Sequence, residues 1–235
     1  MFYALVGAVL IGLSLGLMGS GGSILTVPVL TFLVGQEDKV AIAGSLAIVG
    51  AISLVAGVPY ARRREVDYRS ILLFGIPGMG GAYLGAYLSQ FVSGALQLLV
   101  FAALMVAAGG LMLRPAPEAK AEDAKPHAPV KVVAEGLVVG VITGFVGVGG
   151  GFMIVPALVL LGGLSMRRAI GTSLFIIALK SFAGFAKYLD VLDDLGLQLD
   201  WQVIGVVSAV GIGGSFVGSG LGARLPQATL RRGFS

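Results

Sequence analysis

The chain carries the same apolar passage twice. Residues 12–30 read GLSLGLMGSGGSILTVPVL and residues 140–158 read GVITGFVGVGGGFMIVPAL. At a constant offset of 128 residues, Gly12 meets Gly140, Gly16 meets Gly144, Gly19 meets Gly147, Gly21 and Gly22 meet Gly149 and Gly150, and Pro28 meets Pro156. Ser45-Leu46 meets Ser173-Leu174 and Ser53 meets Ser181 at the same offset. A further block, Asp67-Tyr68 with Gly80-Gly81 and Gly85, recurs as Asp200-Trp201 with Gly213-Gly214 and Gly218. A duplicated apolar chain whose halves carry helix-breaking segments at matching places is a common plan for membrane transporters, and the breaks point to the binding site.

Composition identifies the solvent. The chain is 57% hydrophobic and 12% charged, with a mean hydropathy of +0.97. A fold of 235 residues in water could not hide that much apolar surface, so the solvent is lipid. There is no cysteine, which removes disulfides and thiolate metal sites, and the single histidine, His127, stands in a polar linker. No metal site or cofactor is expected. The net charge of +4 reads as membrane orientation and not as affinity for nucleic acid. The N-terminal MFYALVGAVL lacks a basic n-region and reads as the start of a membrane segment.

Apolar stretches run over about 2–34, 40–59, 70–89, 95–113, 132–163, 169–189 and 201–222. Residues 1–113 form a first repeat, 114–131 (RPAPEAKAEDAKPHAPVK) a flexible polar linker, and 132–235 a second repeat. Most stretches suit one crossing of about 20 residues. The first and fifth are too long, and each is broken by glycines: Gly19, Ser20, Gly21 and Gly22 in one, Gly147, Gly149, Gly150 and Gly151 in the other. Each is expected to be two shorter helices joined at a glycine tip. The second helix of each pair should restart near Ser23 and near Phe152.

Basic residues choose between a hairpin that turns back and a segment that crosses. If each long stretch crosses once, nine basic residues face six. If each turns back, Arg62, Arg63, Arg64, Arg69, Arg114, Lys120, Lys125, Lys131, Arg167, Arg168, Arg224, Arg231 and Arg232 share one side, and only Lys39 and Lys187 lie opposite. Thirteen against two is a positive-inside pattern, so the hairpin reading is preferred. The first half then crosses three times, which inverts the second half relative to the first. The expected fold is an all-α integral membrane protein of two inverted repeats, each a glycine-tipped helical hairpin followed by transmembrane helices. The linker would be cytoplasmic and the N-terminus external. The second half stops where the counterpart of 95–113 would begin, near Ala228, so one helix of the repeat is expected to be missing.

The doubled pattern G-x3-G-x2-G-x-G-G-[GS]-x3-VP-x-L resembles the TauE/SafE family of sulfite exporters and 4-toluene sulfonate uptake permeases. Gly171-Thr172-Ser173-Leu174, the Lys180-Ser181-Phe182-Ala183-Gly184 stretch and the Asp-aromatic helix starts extend the resemblance over nearly the whole chain. The resemblance implies a secondary transporter in the bacterial inner membrane. Its cargo would be a small sulfur-containing anion such as sulfite, sulfoacetate or another small sulfonate. Its partners would be that anion and the lipid bilayer; a homo-oligomer stays open. An anion channel or a non-transporting membrane scaffold is the alternative.

An anion at mid-membrane needs hydrogen-bond donors and positive potential. The N-termini of the helices after each tip, with Gly19, Ser20, Gly21, Gly22 and Ser23 in one and Gly147, Gly149, Gly150 and Gly151 in the other, can supply both. The competing reading of such glycines is close helix packing, especially for Gly12, Gly16, Gly140 and Gly144. Lys180 lies mid-way along its span, its counterpart in the first half is Ile52, and no acidic residue stands in the central part of any span. A lysine at that depth faces a cavity or a partner, and its missing countercharge would be the substrate. The competing reading is a lysine that snorkels to the interface or bonds to carbonyls at a tip. Ser45, Thr172 and Ser173 complete the candidate site, with Ser53 and Ser181 beside it. Asp67 and Asp200 read as helix caps. Tyr68, Tyr188 and Trp201 read as an aromatic belt. No enzyme is expected: the one nucleophile–base pairing on offer is a Ser–Lys dyad, in which Ser181 is adjacent to Lys180 and Ser173 is two turns away.

Overall fold

A computed structural model describes residues 2–18, 22–112, 129–160 and 163–224. The order is α1 (Phe2–Met18), α2 (Gly22–Leu33), α3 (Asp38–Arg62), α4 (Tyr68–Ser89), α5 (Gly94–Met112), α6 (Pro129–Val146), α7 (Gly151–Leu160), α8 (Met166–Asp194) and α9 (Trp201–Arg224). Among the described residues there is no strand. Both long stretches are split at their glycines: α2 starts at Gly22 and α7 at Gly151, each one residue before the expected restart. Most of the 114–131 linker, and the expected break near Ala228, lie outside the described residues. Helix α6 already begins at Pro129, within the linker as read from sequence, because proline is well suited to a first helical turn.

Among the described residues, four helices are long and apolar enough to cross a membrane: Asp38–Arg62, Tyr68–Ser89, Met166–Asp194 and Trp201–Leu221. The two aspartates expected to cap helices do so. Asp67 Oδ2 accepts from Ser70 N at 3.0 Å, and Asp200 Oδ1 accepts from Val203 N at 3.0 Å. Two π turns interrupt the helices, Val29–Leu33 directly after Pro28 and Ile71–Gly75 two residues before Pro77. Pro77 has no N–H and crowds the carbonyl of Leu73 four residues earlier, and the widened turn Ile71–Gly75 relieves that conflict. Tyr68 and Trp201 are 66% and 62% exposed, as a belt residue should be. Tyr188 departs from that reading. It is fully buried, and its hydroxyl donates to Phe145 O at 3.0 Å and accepts from Gln97 Nε2 at 2.7 Å. A tyrosine in a helix of mixed polarity looks the same in sequence whether its hydroxyl meets a headgroup or a carbonyl.

The halves interlock. Helix α1 of the first half packs along α9 of the second, α6 of the second packs along α4 of the first, and α3 lies against α8. Glycine makes the two outer contacts. A methyl group added at Gly12 or Gly16 would sit 2.0 Å from the carbonyl oxygen of Gly211 or Ser215. One added at Gly140 or Gly144 would sit 2.4 or 2.2 Å from that of Gly78 or Ala82. The reverse faces match: Gly81 and Gly85 abut Leu137 O and Val141 O, as Gly214 and Gly218 abut Val9 O and Leu13 O. Apolar area gives no net drive between helices in lipid, so backbones held this close supply the attraction through packing. The packing reading of Gly12, Gly16, Gly140 and Gly144 therefore has direct geometric support.

Neighbouring glycines behave differently. A methyl group at Gly80 or Gly213 meets nothing within 4 Å. Gly81→Ala is expected to lower the thermal unfolding midpoint in detergent by overpacking, at a cost of about 1–3 kcal/mol. Gly80→Ala should leave it unchanged or raise it, since alanine is the better helix former by about 0.5–1 kcal/mol. Equal effects of the two would refute the contact.

Candidate functional site

The second hairpin shows how a glycine tip is built. Backbone N–H groups of Gly147 and Val148 donate to Thr143 O at 2.9 and 3.1 Å and close the end of α6. Gly147 and Gly150 have φ of +77° and +70°, a region that side chains with a Cβ avoid. The N–H groups of Met153 and Ile154 then turn onto Gly150 O at 3.1 and 3.2 Å and start α7. Two of the tip's donors are thus already used in ending α6. Gly149 is needed for close approach: a methyl group there would lie 2.6 Å from Ile177 Cγ2 and 2.8 Å from Val49 Cγ1. Gly151 is buried and opens α7. The corresponding Gly19, Ser20 and Gly21 lie outside the described residues. Gly22 packs against Ile11 O, and the buried Ser23 follows it into α2.

The tip abuts the middle of α8. A narrow crevice is lined by Val148 and Gly149 of the tip and Thr143 and Gly144 of α6. Lys180 and Ser181 of α8, Leu46 of α3 and Ala82 of α4 complete it. Both halves contribute. The crevice has no room for a water molecule.

Lys180 is 1% exposed, and among the described residues its Nζ has no hydrogen-bond partner and no carboxylate within ion-pair reach. Neither the snorkelling reading nor the carbonyl-bonded reading describes that side chain. Its stem leaves the crevice wall and runs over bare backbone, since a methyl group at Gly78 would lie 2.9 Å from Lys180 Cδ. The ammonium ends 5.9 Å from the centre of the Phe74 ring. Ser181 Oγ is likewise buried without a partner, as is its repeat counterpart Ser53 Oγ.

The remaining sequence candidates hold the scaffold. Ser45 Oγ donates to Gly147 O, with Ile42 O at 2.8 Å as a second acceptor, so a first-half helix supports the second-half tip. Thr172 Oγ1 accepts from Asp67 N at 2.9 Å and ties α8 to the start of α4. Ser173 Oγ donates back to Ile170 O at 2.8 Å. Thr172 and Ser173 stand eight and seven residues before Lys180, about 10–12 Å along the helix axis, and they do not line the crevice. The structure therefore joins Lys180 with Gly149, places Ser45 behind them, and leaves Thr172 and Ser173 apart. Reading the sequence for charge and breaks missed Phe74, Gly78, Thr143 and Ala82. One signal for Gly78 was present: G-x-G-G-x3-G at residue 78 recurs at Gly211.

Ser45→Ala should leave Gly147 O buried without its donor and destabilise the fold by about 1–3 kcal/mol. Thermal unfolding in detergent reads this directly. A stability equal to wild type would show that Ser45 does not hold the tip.

Comparison with known proteins identifies the family. The family described as "Sulfite exporter TauE/SafE" matches residues 4–235. A "Probable membrane transporter protein" of Xylella fastidiosa (strain 9a5c) is 35% identical over 220 residues, 92% of this chain and 81% of that protein. The "Probable membrane transporter protein YunE" of Bacillus subtilis (strain 168) is 30% identical, covering 77% of each chain. A "Probable membrane transporter protein" of Haemophilus influenzae is 25% identical, covering 98% of this chain and 92% of that one. No solved structure matches. A match over almost the entire length, on a scaffold with four helices long and apolar enough to cross a membrane among the described residues, places the chain in the TauE/SafE sulfite exporter family of membrane transporters.

Proposed function

We propose that the chain is a secondary transporter that moves a small sulfur oxyanion, sulfite or a small sulfonate, across the bacterial inner membrane by alternating access. One observation carries the site: a lysine ammonium buried between the halves with no hydrogen-bond partner among the described residues, on a side chain that lines a crevice at a glycine tip. An uncompensated ammonium in an apolar interior costs several kcal/mol. A bound anion would remove that cost, and Ser181 Oγ would add a donor at the same place. The cation-plus-hydroxyl set suits a compact oxyanion head.

The inverted-repeat reading rests on the thirteen-to-two charge bias and is supported by the reciprocal packing of α1 on α9 and α6 on α4. It puts the 114–131 linker in the cytoplasm and the N-terminus outside. A crevice too narrow for water between two interlocked halves favours a carrier that must open on one side at a time, and it counts against a standing pore.

The test is ligand-dependent thermal stability in detergent with sulfite, sulfate, thiosulfate, sulfoacetate and taurine, on wild type and Lys180→Met. A bound anion at 100 times its dissociation constant should stabilise wild type by about 2.7 kcal/mol. Lys180→Met should lose this response yet fold, because the buried Ile52 fills the corresponding place in the other half. Equal stabilisation of both proteins would remove Lys180 from the site.

A further inference from the structure

The lysine slot exists twice, and the two copies differ in a coordinated way. A methyl group at Gly78 would press on the Lys180 stem, with Cδ at 2.9 Å. A methyl group at Gly211, the repeat counterpart of Gly78, would press on the Ile52 side chain, with Cδ1 at 2.4 Å. The same groove on bare backbone thus carries an isoleucine in one half and a lysine in the other. One turn before that glycine stands Phe74 in the lysine copy of the slot, and Val207 in the isoleucine copy. Both are buried. The copy of the slot that holds the ammonium is the copy with an aromatic ring one turn before its glycine.

Phe74 is also placed unusually. It lies in the π turn Ile71–Gly75 that Pro77 imposes on α4, and Phe74 O abuts Gly136 of α6. The ring therefore belongs to a backbone segment pinned on both sides. Lys180 lines the crevice beside Ser181 and Gly149, and its ammonium lies 5.9 Å from the centre of the Phe74 ring, which is not among the crevice's lining residues.

We propose that Phe74 is the resting seat of the Lys180 ammonium: the ring holds the cation while the site is empty, and an arriving anion draws it off the ring toward Ser181 and the tip. Phe74 is then a positioning residue that sets anion affinity by competing for the lysine. The inference rests on the reading of Lys180 as the anion-binding cation. The face of an aromatic ring is the only attraction offered to this ammonium among the described residues, and it is weaker than a charge-assisted hydrogen bond to an oxyanion. The ring therefore lets go when a ligand arrives.

The experiment is sulfite binding, measured anaerobically by calorimetric titration of the detergent-solubilised full chain. The proteins are wild type, Phe74→Leu, Lys180→Met and the double variant. A second series replaces Phe74 with phenylalanines of increasing ring fluorination, which drain the ring face of negative charge at nearly constant size. Weakening the seat should tighten sulfite binding, in Phe74→Leu by about two- to thirty-fold. Affinity should rise steadily along the fluorinated series. A residue that only filled space would give the opposite sign in Phe74→Leu and a flat fluorinated series, and that result overturns the inference while leaving the Lys180 site standing. If wild type binds no sulfite, or Lys180→Met binds it as well as wild type does, the Lys180 reading falls and this inference falls with it.

Discussion

Backbone contact at glycine is the constraint on which the rest of this fold depends. In lipid, a leucine gains nothing by leaving the tails for another helix, so association must come from shape and from short-range contact. Carbonyl oxygens of α9 and α4 lie where a methyl group on α1 or α6 would have to be. Because these contacts join a hairpin of one half to a helix of the other, neither half can be lifted away without opening two seams. The same seams fix where the hairpin tips end. The second tip meets the middle of α8 because α6 is locked to α4 along Gly78, Ala82, Gly140 and Gly144.

That lock explains how a lysine can be kept where lysine is expensive. Lys180 needs a track for its stem and has one in the backbone at Gly78, which is bare for packing reasons shared with Gly211. Most of the side chain is four methylenes, and burying these is favourable. The ammonium alone is unpaid for. A repeat that tolerates Ile52 in the matching slot needed little remodelling to accept a side chain of similar width and greater length. What changed with it was the ring at the far end, Phe74 against Val207. The two slots share a bare-backbone groove, and one of the two holds a lysine where the other holds an isoleucine.

Much of this was legible in the sequence because lipid simplifies the code. Apolar length marked the helices, glycine marked the breaks, and Asp67 and Asp200 marked helix starts that the capping bonds bear out. Lys180 stood out because charge is rare in a span. Spacing could not show direction. Thr172 and Ser173 share a helix with Lys180, yet Thr172 is turned to the backbone of Asp67 and Ser173 to its own helix, because serine and threonine hydroxyls readily serve nearby backbone in apolar surroundings. Tyr188 could not be told from an interfacial tyrosine, since its buried partners, Phe145 O and Gln97, come from distant helices. Phe74 carried no signal in its own right; it matters because Pro77 widens the turn that holds it and because the lysine reaches it.

The tip itself changes meaning once its hydrogen bonds are followed. A run of glycines before a helix suggests a cradle of free N–H groups, but Gly147 and Val148 spend theirs on Thr143 O. The glycines serve mainly to reverse the chain in a small space, with φ above +60° at Gly147 and Gly150 and no Cβ at Gly149. Their contribution at the crevice is therefore shape: Val148 and Gly149 line it beside Ser181 and Lys180. The tip is held in place by its own hydrogen bonds, whereas Lys180 Nζ has no hydrogen-bond partner among the described residues and lies 5.9 Å from the centre of the Phe74 ring.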